Sequence, residues 1–249
     1  MTPIGARRDV SLASYCTLGV GGDARWLVSA STIEELADAL AFAASKRVPA
    51  VVIGRGSNVL FADAGFDGVV IVNAIDTIER VGAGYAFNHL GAALSKEGWS
   101  GLEFAVGIPG TVGGAVFMNA GADGGDTATA LVEVECVSPD GGRQDLDAEA
   151  DAEEEEESES ELAGWIVASA TFRLRRDPRA NDRAKAFLRR RARAQPLSER
   201  SVGCVFRNPP ITAVNPDGLS AGALIDRAGL KGTRCGGAVV SEAHANFLL

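Results

Sequence analysis

The chain has 249 residues, of which 46% are hydrophobic and 23% are charged, and its mean hydropathy is close to zero. These proportions are typical of one globular unit with subdomains, and they exclude disordered and fibrous proteins. No apolar run approaches the roughly 18 to 20 residues that span a bilayer, and the first residues lack the apolar stretch of a secretory signal, so we expect a cytoplasmic protein with no membrane partner.

The net charge of −9 comes from one segment of the chain. Ten of the 33 acidic residues lie within residues 147–161, which leaves 23 acidic against 24 basic residues elsewhere, and such a block predicts a solvated insert. Ten basic residues between Arg173 and Arg193 could form a nucleic-acid patch. They alternate with Ala, Phe and Leu as on the solvated face of an amphipathic helix, and no aromatic platform for bases lies nearby, so we expect no nucleic-acid partner.

The first half of the chain predicts a mixed α/β arrangement. Ser31 and Thr32 precede acidic residues and an apolar series at helical spacing, which predicts a helix to about Lys46. The continuous apolar run 50–53, bounded by Gly54, predicts a buried strand. The same signals predict strands at residues 68–72 and 78–81 and a helix at residues 86–97.

The second half predicts a hairpin whose connection contains the acidic segment. Strands are expected at residues 131–137 and 165–174, with a turn at residues 139–142 between them, so the acidic segment would interrupt a sheet edge. Asp177-Pro178 marks a boundary before the basic helix. Gln195-Pro196 opens a smaller last region rich in Gly and Pro, which ends at residues 245–249 as a strand would.

The cysteines and histidines do not form a metal-binding pattern. The two histidines, and four cysteines spaced too widely for CxxC pairs, make a structural zinc site improbable, so we expect no bound metal and free thiols. Cys136 shares a strand face with two valines and is predicted to be a core residue. The residues concerned are Cys16, Cys136, Cys204, Cys235, His89 and His244.

A first cluster of small residues directly follows the predicted strand 50–53. Glycine at such a place lets backbone N–H groups approach a phosphate without obstruction by a Cβ, although glycine turns after strands are common. Val59 stands where a dinucleotide fingerprint would have its third glycine, and no Walker lysine follows, so a Rossmann domain is disfavoured. The cofactor-binding candidates here are Gly54, Arg55, Gly56, Ser57 and Asn58.

A second cluster, residues 107–121, contains more glycine than a turn requires. It predicts a wall for a flat or phosphorylated ligand, and the alternative is tight packing of a helix against a sheet. Asn119 favours the ligand, because cofactor clefts place single polar groups on apolar walls. The cofactor-binding candidates here are Gly107, Ile108, Pro109, Gly110, Thr111, Gly113, Gly114, Asn119 and Gly121.

The motifs along the chain resemble those of the UDP-N-acetylenolpyruvoylglucosamine reductase family. They fall in the order of that family and span nearly the whole sequence, so chance agreement is negligible. The matching motifs lie at residues 17–22, 56–60, 101–104, 107–114, 195–197, 203–209, 220–222, 229–232, 236–238 and 244–247.

The resemblance implies an α+β protein that contains FAD. It implies an N-terminal segment at residues 1–18, a two-lobed FAD-binding domain of the vanillyl-alcohol-oxidase (PCMH) type at residues 19–176, and a smaller substrate-binding domain at residues 177–249. NADPH would reduce the flavin, which would reduce UDP-N-acetylglucosamine enolpyruvate to UDP-N-acetylmuramate for peptidoglycan synthesis. Both glycine clusters would cradle the pyrophosphate and line the flavin. We expect a monomer.

The resemblance also assigns a proton donor. Hydride delivery to C3 of the substrate requires a proton at C2, and the family supplies it from a serine whose place is taken here by Cys204. A thiol is a stronger acid than a hydroxyl, so the replacement is chemically tolerable; the alternative is a small buried side chain without a catalytic role. Arg207 and Asn208 would face the substrate.

Two departures from the family pattern bear on activity. The family has a Tyr-Arg-x-Ser element where this chain has residues 147–161 without arginine, and it continues to a glutamate some way beyond the motif at residues 244–247, so the chain resembles a C-terminally truncated member with an apolar face exposed around Leu248. Losing a charge-stabilising group typically costs about 10²–10³ in rate. The alternative hypothesis is therefore an impaired FAD-binding relic that acts as a binding or interaction module.

Overall fold

The computed structural model describes residues 3, 5–75, 80–147, 164–195, 199–201, 203–212, 215 and 217–249. Apart from Asp147, the acidic segment predicted to be a solvated insert lies outside the described residues. The strand predicted at residues 78–81 lies outside them except for its last two residues.

The first lobe is a four-stranded sheet covered by a helix. Its strands are β1 (Arg7–Ser11), β2 (Asp23–Ala30), β3 (Ala50–Ile53) and β4 (Phe66–Asn73), in the order β1-β2-β4-β3. β2 and β3 run parallel to β4, while β1 is antiparallel to β2.

Helix α1 (Ile33–Lys46) connects β2 to β3 and confirms the helix predicted after Ser31. The Thr32 side chain accepts a hydrogen bond from the backbone N–H of Glu35, and the Glu35 carboxylate accepts one from the N–H of Ser31 at 2.7 Å. This reciprocal capping satisfies donors that the first helical turn leaves free. The apolar face of α1 packs on the sheet.

The prediction that residues 50–53 form a buried strand was wrong in its burial. β3 is the edge strand of its sheet, Ala50 is exposed, and Val51 and Val52 are half-buried. β3 has two constraints, because Ile53 lies in the core and Val51 and Val52 pack against it, while the strand also lines a cavity.

The second lobe is built on an antiparallel sheet. Its strands are β5 (Val81–Gly82), β6 (Trp99–Ser100), β7 (Gly121–Ala122), β8 (Gly125–Asp126), β9 (Leu131–Val137), β10 (Arg143–Asp147), β11 (Ile166–Phe172) and β12 (Arg175–Arg176), and its helices are α2 (Phe87–Lys96), α3 (Val112–Phe117), α4 (Thr127–Ala130) and α5 (Ala180–Ala194), with a short 3-10 helix at Glu103–Gly107. The main sheet has the order β10-β9-β11-β5.

The predicted pairing of the strands at residues 131–137 and 165–174 is confirmed as β9 against β11. The unpredicted strand β10 pairs with the other side of β9 and forms the edge from which the acidic segment departs. Cys136 is fully buried in the core, as predicted, and burial raises the pKa of its thiol to about 11.

Asn73, at the end of β4, joins the two lobes. Its Nδ2 donates to the carbonyl of Val167 in β11 at 3.0 Å, and its Oδ1 accepts from the N–H of Ile75 at 3.2 Å. One apolar core cluster also spans the two lobes, because it contains residues of α1 together with Val137 and Ala168 of the second sheet. A cavity lies at this junction, with Asn73 in its wall.

The prediction that the arginines of the basic helix lie on a solvated face was wrong for two of them. α5 turns Arg183 and Arg191 inward. The Arg183 Nε donates to Glu103 Oε1 at 3.0 Å, and its Nη1 donates to Asp177 Oδ2 at 2.8 Å. Glu103 is only 6% exposed, so Arg183 provides the cation that lets this carboxylate stay charged in the interior.

The last region contains helix α6 (Ala221–Arg227) and the strands β13 (Arg234–Cys235) and β14 (Ala238–Val239). Residues 245–249 form no regular strand, and the prediction holds only for Phe247 and Leu248, which make isolated bridges to Cys204 and Val240. Leu248 is 39% exposed. Within the described ranges, each helix falls short of the length and hydrophobicity that a membrane span requires.

We expect Arg183→Met to lower the free energy of unfolding by about 1.5–3 kcal/mol, because it leaves the buried Glu103 carboxylate without the charged donor that satisfies it, while the 35% exposure of Arg183 lets solvent screen part of the loss. Arg179→Ala is the matched control. The Arg179 side chain is 81% exposed, and its ion pair is a long one of 3.7 Å to Asp177, which also pairs with Arg183, so its removal should cost no more than about 1 kcal/mol. Urea unfolding of the two variants measures the difference, and equal losses would contradict this account.

The stability difference between wild type and Arg183→Met should depend on pH. Burial alone raises the pKa of Glu103, but the Gly101 N–H and the Arg183 guanidinium lower it, and the net shift is downward. A carboxyl with a lowered folded-state pKa stabilises the protein above its ordinary pKa of 4.5 and loses this effect as the pH falls toward the lowered value. Urea midpoints of both proteins should therefore converge in acid; a gap that widens there would refute this.

Candidate functional site

The two glycine clusters face each other across a cavity. Its volume is about 490 Å³, and residues 54–59 and 108–111 line it. A second cavity of about 410 Å³ shares Gly54, Thr111 and Phe117 with the first and extends along β3 to Trp165. Both volumes lie in the range typical of small-molecule and cofactor sites.

The structure brings most of the predicted cofactor-binding residues to this place. Gly113 lines the smaller cavity, whereas Gly107 lies against the Arg191 side chain and lines neither. The predicted residues that line the larger cavity are Gly54, Arg55, Gly56, Ser57, Asn58, Ile108, Pro109, Gly110, Thr111, Gly114, Asn119 and Gly121.

Two glycines allow the clusters to come this close. A Cβ at Gly54 would overlap the Thr111 side chain, whose Oγ1 accepts from the Gly114 N–H at the start of α3. Gly110 has φ 108°, and a Cβ there would lie 2.8 Å from Ser57 Oγ. Both positions therefore need glycine for the contact between the clusters.

The alternative interpretation of the second cluster, tight packing, holds for part of it. A Cβ at Gly113 would lie 2.8 Å from the Cβ of Ala83, so this glycine packs against the loop after β5. At Gly114 the nearest atom would be Thr111 Oγ1 at 3.8 Å, so the backbone there is open to the cavity. The cluster thus serves packing on one side and leaves backbone accessible on the other.

The wall of the two cavities is positively charged. Among the described lining residues, the charged ones are Arg55 and Arg191, and there is no carboxylate. The Arg191 Nε is buried and has no hydrogen-bond partner among the described residues. A buried donor of this kind is costly unless a ligand or water satisfies it, so Arg191 is suited to an anionic ligand.

Sequence reasoning missed Arg191, although a signal was present. Ala180, Ala184 and Phe187 precede Arg191 at helical spacing and form the inward face of α5. Residues three and four apart share a helix face, so the same spacing places Arg191 inward.

Asn119 serves the fold as well as the cavity wall. Its φ is 40°, in the left-handed region, and its Oδ1 accepts from the N–H of Ala128 in α4 at 2.9 Å. The amide nitrogen is the part of this side chain that could bind a ligand.

Cys204 lies beside the larger cavity, since the preceding Gly203 lines it. Its backbone pairs with Phe247, and its thiol is exposed. Partial desolvation raises the pKa of the thiol, while the Arg191 charge and a hydrogen bond with Asn246 lower it, and the net shift is upward. The thiol is therefore protonated at neutral pH, which is the state that a proton donor needs.

The predicted substrate-binding residues lie apart from the two cavities. Arg207 and Asn208 are exposed. The Asn208 Oδ1 accepts from the N–H of Ala221 at 3.0 Å and so holds the start of α6. The described residues contain no cluster of three or more His, Cys, Asp or Glu side chains that could hold a metal ion.

Two family models match the chain. Residues 24–147 match the model described as FAD binding domain. Residues 195–249 match the model described as UDP-N-acetylenolpyruvoylglucosamine reductase, C-terminal domain. The first match contains both glycine clusters, and the second contains Cys204.

Similar proteins agree with both matches. UDP-N-acetylenolpyruvoylglucosamine reductase of Chlamydia trachomatis serovar A is 43% identical over an alignment of 254 residues, which covers 99% of this chain and 85% of that protein. The same-named protein of Protochlamydia amoebophila is 41% identical, with 96% and 80% covered. The crystal structure of UDP-N-acetylenolpyruvylglucosamine reductase from Thermus caldophilus superposes with a TM-score of 0.79 at 36% identity, covering 96% of this chain and 86% of that one.

The α+β class and the FAD-binding type of domain that the motifs predict are thereby confirmed. The chain belongs to the UDP-N-acetylenolpyruvoylglucosamine reductase family.

Proposed function

We propose that this chain reduces UDP-N-acetylglucosamine enolpyruvate to UDP-N-acetylmuramate, with FAD as bound cofactor and NADPH as co-substrate. The observation that carries the proposal is that the larger cavity, which we call the cleft, is lined by both glycine clusters, by two arginines and by Gly203, the neighbour of Cys204. The names of the relatives supply the substrate. This reaction makes a precursor of the peptidoglycan wall, so the proposal includes a role in cell division and cell shape. It also includes the cytoplasmic location and the monomeric state expected from the sequence.

The cleft suits FAD in its charge and in the access that it gives to the main chain. A diphosphate needs a cation and room to approach the backbone; Arg55 provides the cation, and a Cβ at Gly114 would meet no atom closer than 3.8 Å, which leaves room there. Residues 54–58 and 108–114 would hold the pyrophosphate and line the isoalloxazine ring, with Asn119 and Gly121 along it; Gly107, predicted with them, lies against Arg191 instead. When bound, the flavin supplies the hydride, and the protein supplies position and protons.

Cys204 donates the proton in this proposal. The thiol S–H bond breaks as a C–H bond forms at C2 of the substrate, and the electron pair stays on sulfur. Its raised pKa keeps the proton available at neutral pH. Arg207, which is exposed on the segment after Cys204, would meet the substrate phosphates or carboxylate. Asn208 would help substrate binding indirectly, because its hydrogen bond to the start of α6 holds the segment that contains Arg207 in place.

The substrate-binding part of the proposal is residues 177–249, and the FAD-binding part is residues 19–176. The alternative of an impaired binding module gains no support from the relatives, which are named as reductases. Residues 148–161, on which that alternative depends, lie outside the described part of the chain.

Rapid mixing of the purified holoprotein tests the function in two separate steps. NADPH added without oxygen should bleach the visible absorption of the flavin, and UDP-N-acetylglucosamine enolpyruvate added next should restore it with formation of UDP-N-acetylmuramate. Bleaching by NADPH without recovery on addition of the substrate would refute the proposed reaction and favour the impaired module.

Gly54→Ala should weaken FAD binding at least 10-fold, because the added methyl group pushes Thr111 and the start of α3 away from the first cluster. Gly237→Ala is the control, since a Cβ at this position meets no atom within 4 Å. Fluorescence titration of the apoproteins with FAD measures both affinities. Unchanged affinity in Gly54→Ala would show that the contact between the clusters does not shape the FAD site.

Cys204→Ala should slow the substrate-dependent step by about 10²–10⁴ while leaving reduction by NADPH nearly unchanged, because only the former needs the proton. Cys204→Ser should retain much of the rate, since a hydroxyl can donate the same proton. Cys235→Ala, which removes the other exposed thiol, is the control. Rapid-mixing rates of the separate steps provide the measurement, and a Cys204→Ala variant with the wild-type rate would rule Cys204 out as donor.

A further inference from the structure

Arg191 reaches the cavity wall through a gap left by a glycine. Its Cδ occupies the space that a Cβ at Gly107 would need, which explains glycine at this position although Gly107 does not line the cavity. Its Nε is buried and unpartnered among the described residues. Arg191 and Gly203, the residue before Cys204, line the same cavity, which places the guanidinium beside the Cys204 segment. Burial lowers the pKa of Arg191, and the charges of Asp123 and Cys204 raise it.

The groups facing the Cys204 thiol can be named element by element. α5 contributes the Arg191 cation, and the carboxylate of Asp123, which pairs with Arg190 at 2.7 Å, also acts on Arg191. The C-terminal segment contributes the neutral amide of Asn246. The His244 ring packs edge-on against Phe247, the residue paired with Cys204, and burial lowers the pKa of His244, which leaves it neutral at pH 7.

We propose that Arg191 is the positioning residue that stabilises the Cys204 thiolate left behind when the thiol gives its proton to the substrate. The role of the thiol rests on the proposed function, whereas the pairing of the two side chains is a property of the free protein. The electron pair of the broken S–H bond becomes a negative charge on sulfur in a partly desolvated place, and the nearby guanidinium offsets it until solvent returns a proton.

The two charges explain features that neither residue explains alone. The buried Arg191 Nε without a hydrogen-bond partner lowers stability unless an anion comes to it. A thiol whose surroundings disfavour the thiolate is a slow donor unless a cation is close. Together they give a site that holds the proton at rest and tolerates its loss during the reaction.

Alkylation of Cys204 tests the pairing without flavin, NADPH or substrate. In a Cys235→Ser background, where Cys16 and Cys136 are buried, the iodoacetamide reaction rate is measured against pH. Arg191→Gln and Arg191→Met should each raise the pH midpoint by about one unit and slow alkylation at pH 7 about tenfold, because the nearby positive charge lowers the pKa of the thiol and each variant removes that charge.

Arg191→Lys should restore most of the wild-type midpoint, which a purely structural role of the arginine would not predict. Arg189→Gln, an exposed neighbour on α5, should leave it unchanged. Either neutral variant of Arg191 suffices if the other fails to fold. A midpoint that stays at the wild-type value in a folded neutral variant, or that shifts equally in Arg189→Gln, would overturn the proposal.

The outcome is separable from that of the proposed reaction. A shifted alkylation midpoint in a protein that does not reduce the substrate would support the pairing and refute the reaction. Where the reaction proceeds, the pH midpoint of the substrate-dependent step should move with the alkylation midpoint in the Arg191 variants, and an unmoved midpoint would overturn the role of Arg191 in proton transfer.

Discussion

The fold depends on the close approach of two backbone segments that carry no bulky side chains. Gly54 leaves the space that Thr111 fills, and Gly110 accepts a positive φ beside Ser57. Glycine costs conformational entropy on folding, of order 0.5–1 kcal/mol per position relative to Ala, so such clusters are retained where close approach matters. Here the close approach brings one glycine cluster from each lobe to the wall of the same cleft. Asn73 also joins the two lobes, through its hydrogen bond to Val167.

Charge is distributed in a way that the net value of −9 conceals. The acidic excess is concentrated at residues 147–161, while the wall of the cleft carries two arginines and no described carboxylate. The inward face of α5 performs two tasks along its length. Arg183 stabilises the buried Glu103, and two turns later Arg191 reaches the cleft beside Cys204. An anion entering the cleft therefore meets a positive wall despite the overall charge of the chain.

Features set by local sequence could be predicted, and features set by distant contacts could not. The caps of α1 and the apolar pattern of β9 are local, and both elements lie where the sequence indicates. The second glycine cluster was identified as a ligand wall because its density exceeds what a turn needs, whereas the first was weaker evidence because glycine turns after strands are common. The edge position of β3, the strand β10 and the inward direction of Arg191 depend on neighbours far away in sequence. Asn208 shows the same limit, since its bond to Ala221 could not be inferred from the motif around it.

The central claim is that the cleft between the two glycine clusters holds FAD. The most direct measurement is the visible absorption spectrum of the purified, folded protein before and after incubation with excess FAD and removal of the free cofactor. The account predicts a yellow protein with about one flavin per chain and a spectrum altered from that of free FAD, as expected for a ring in a largely apolar cleft. A folded protein that stays colourless after this treatment would contradict it.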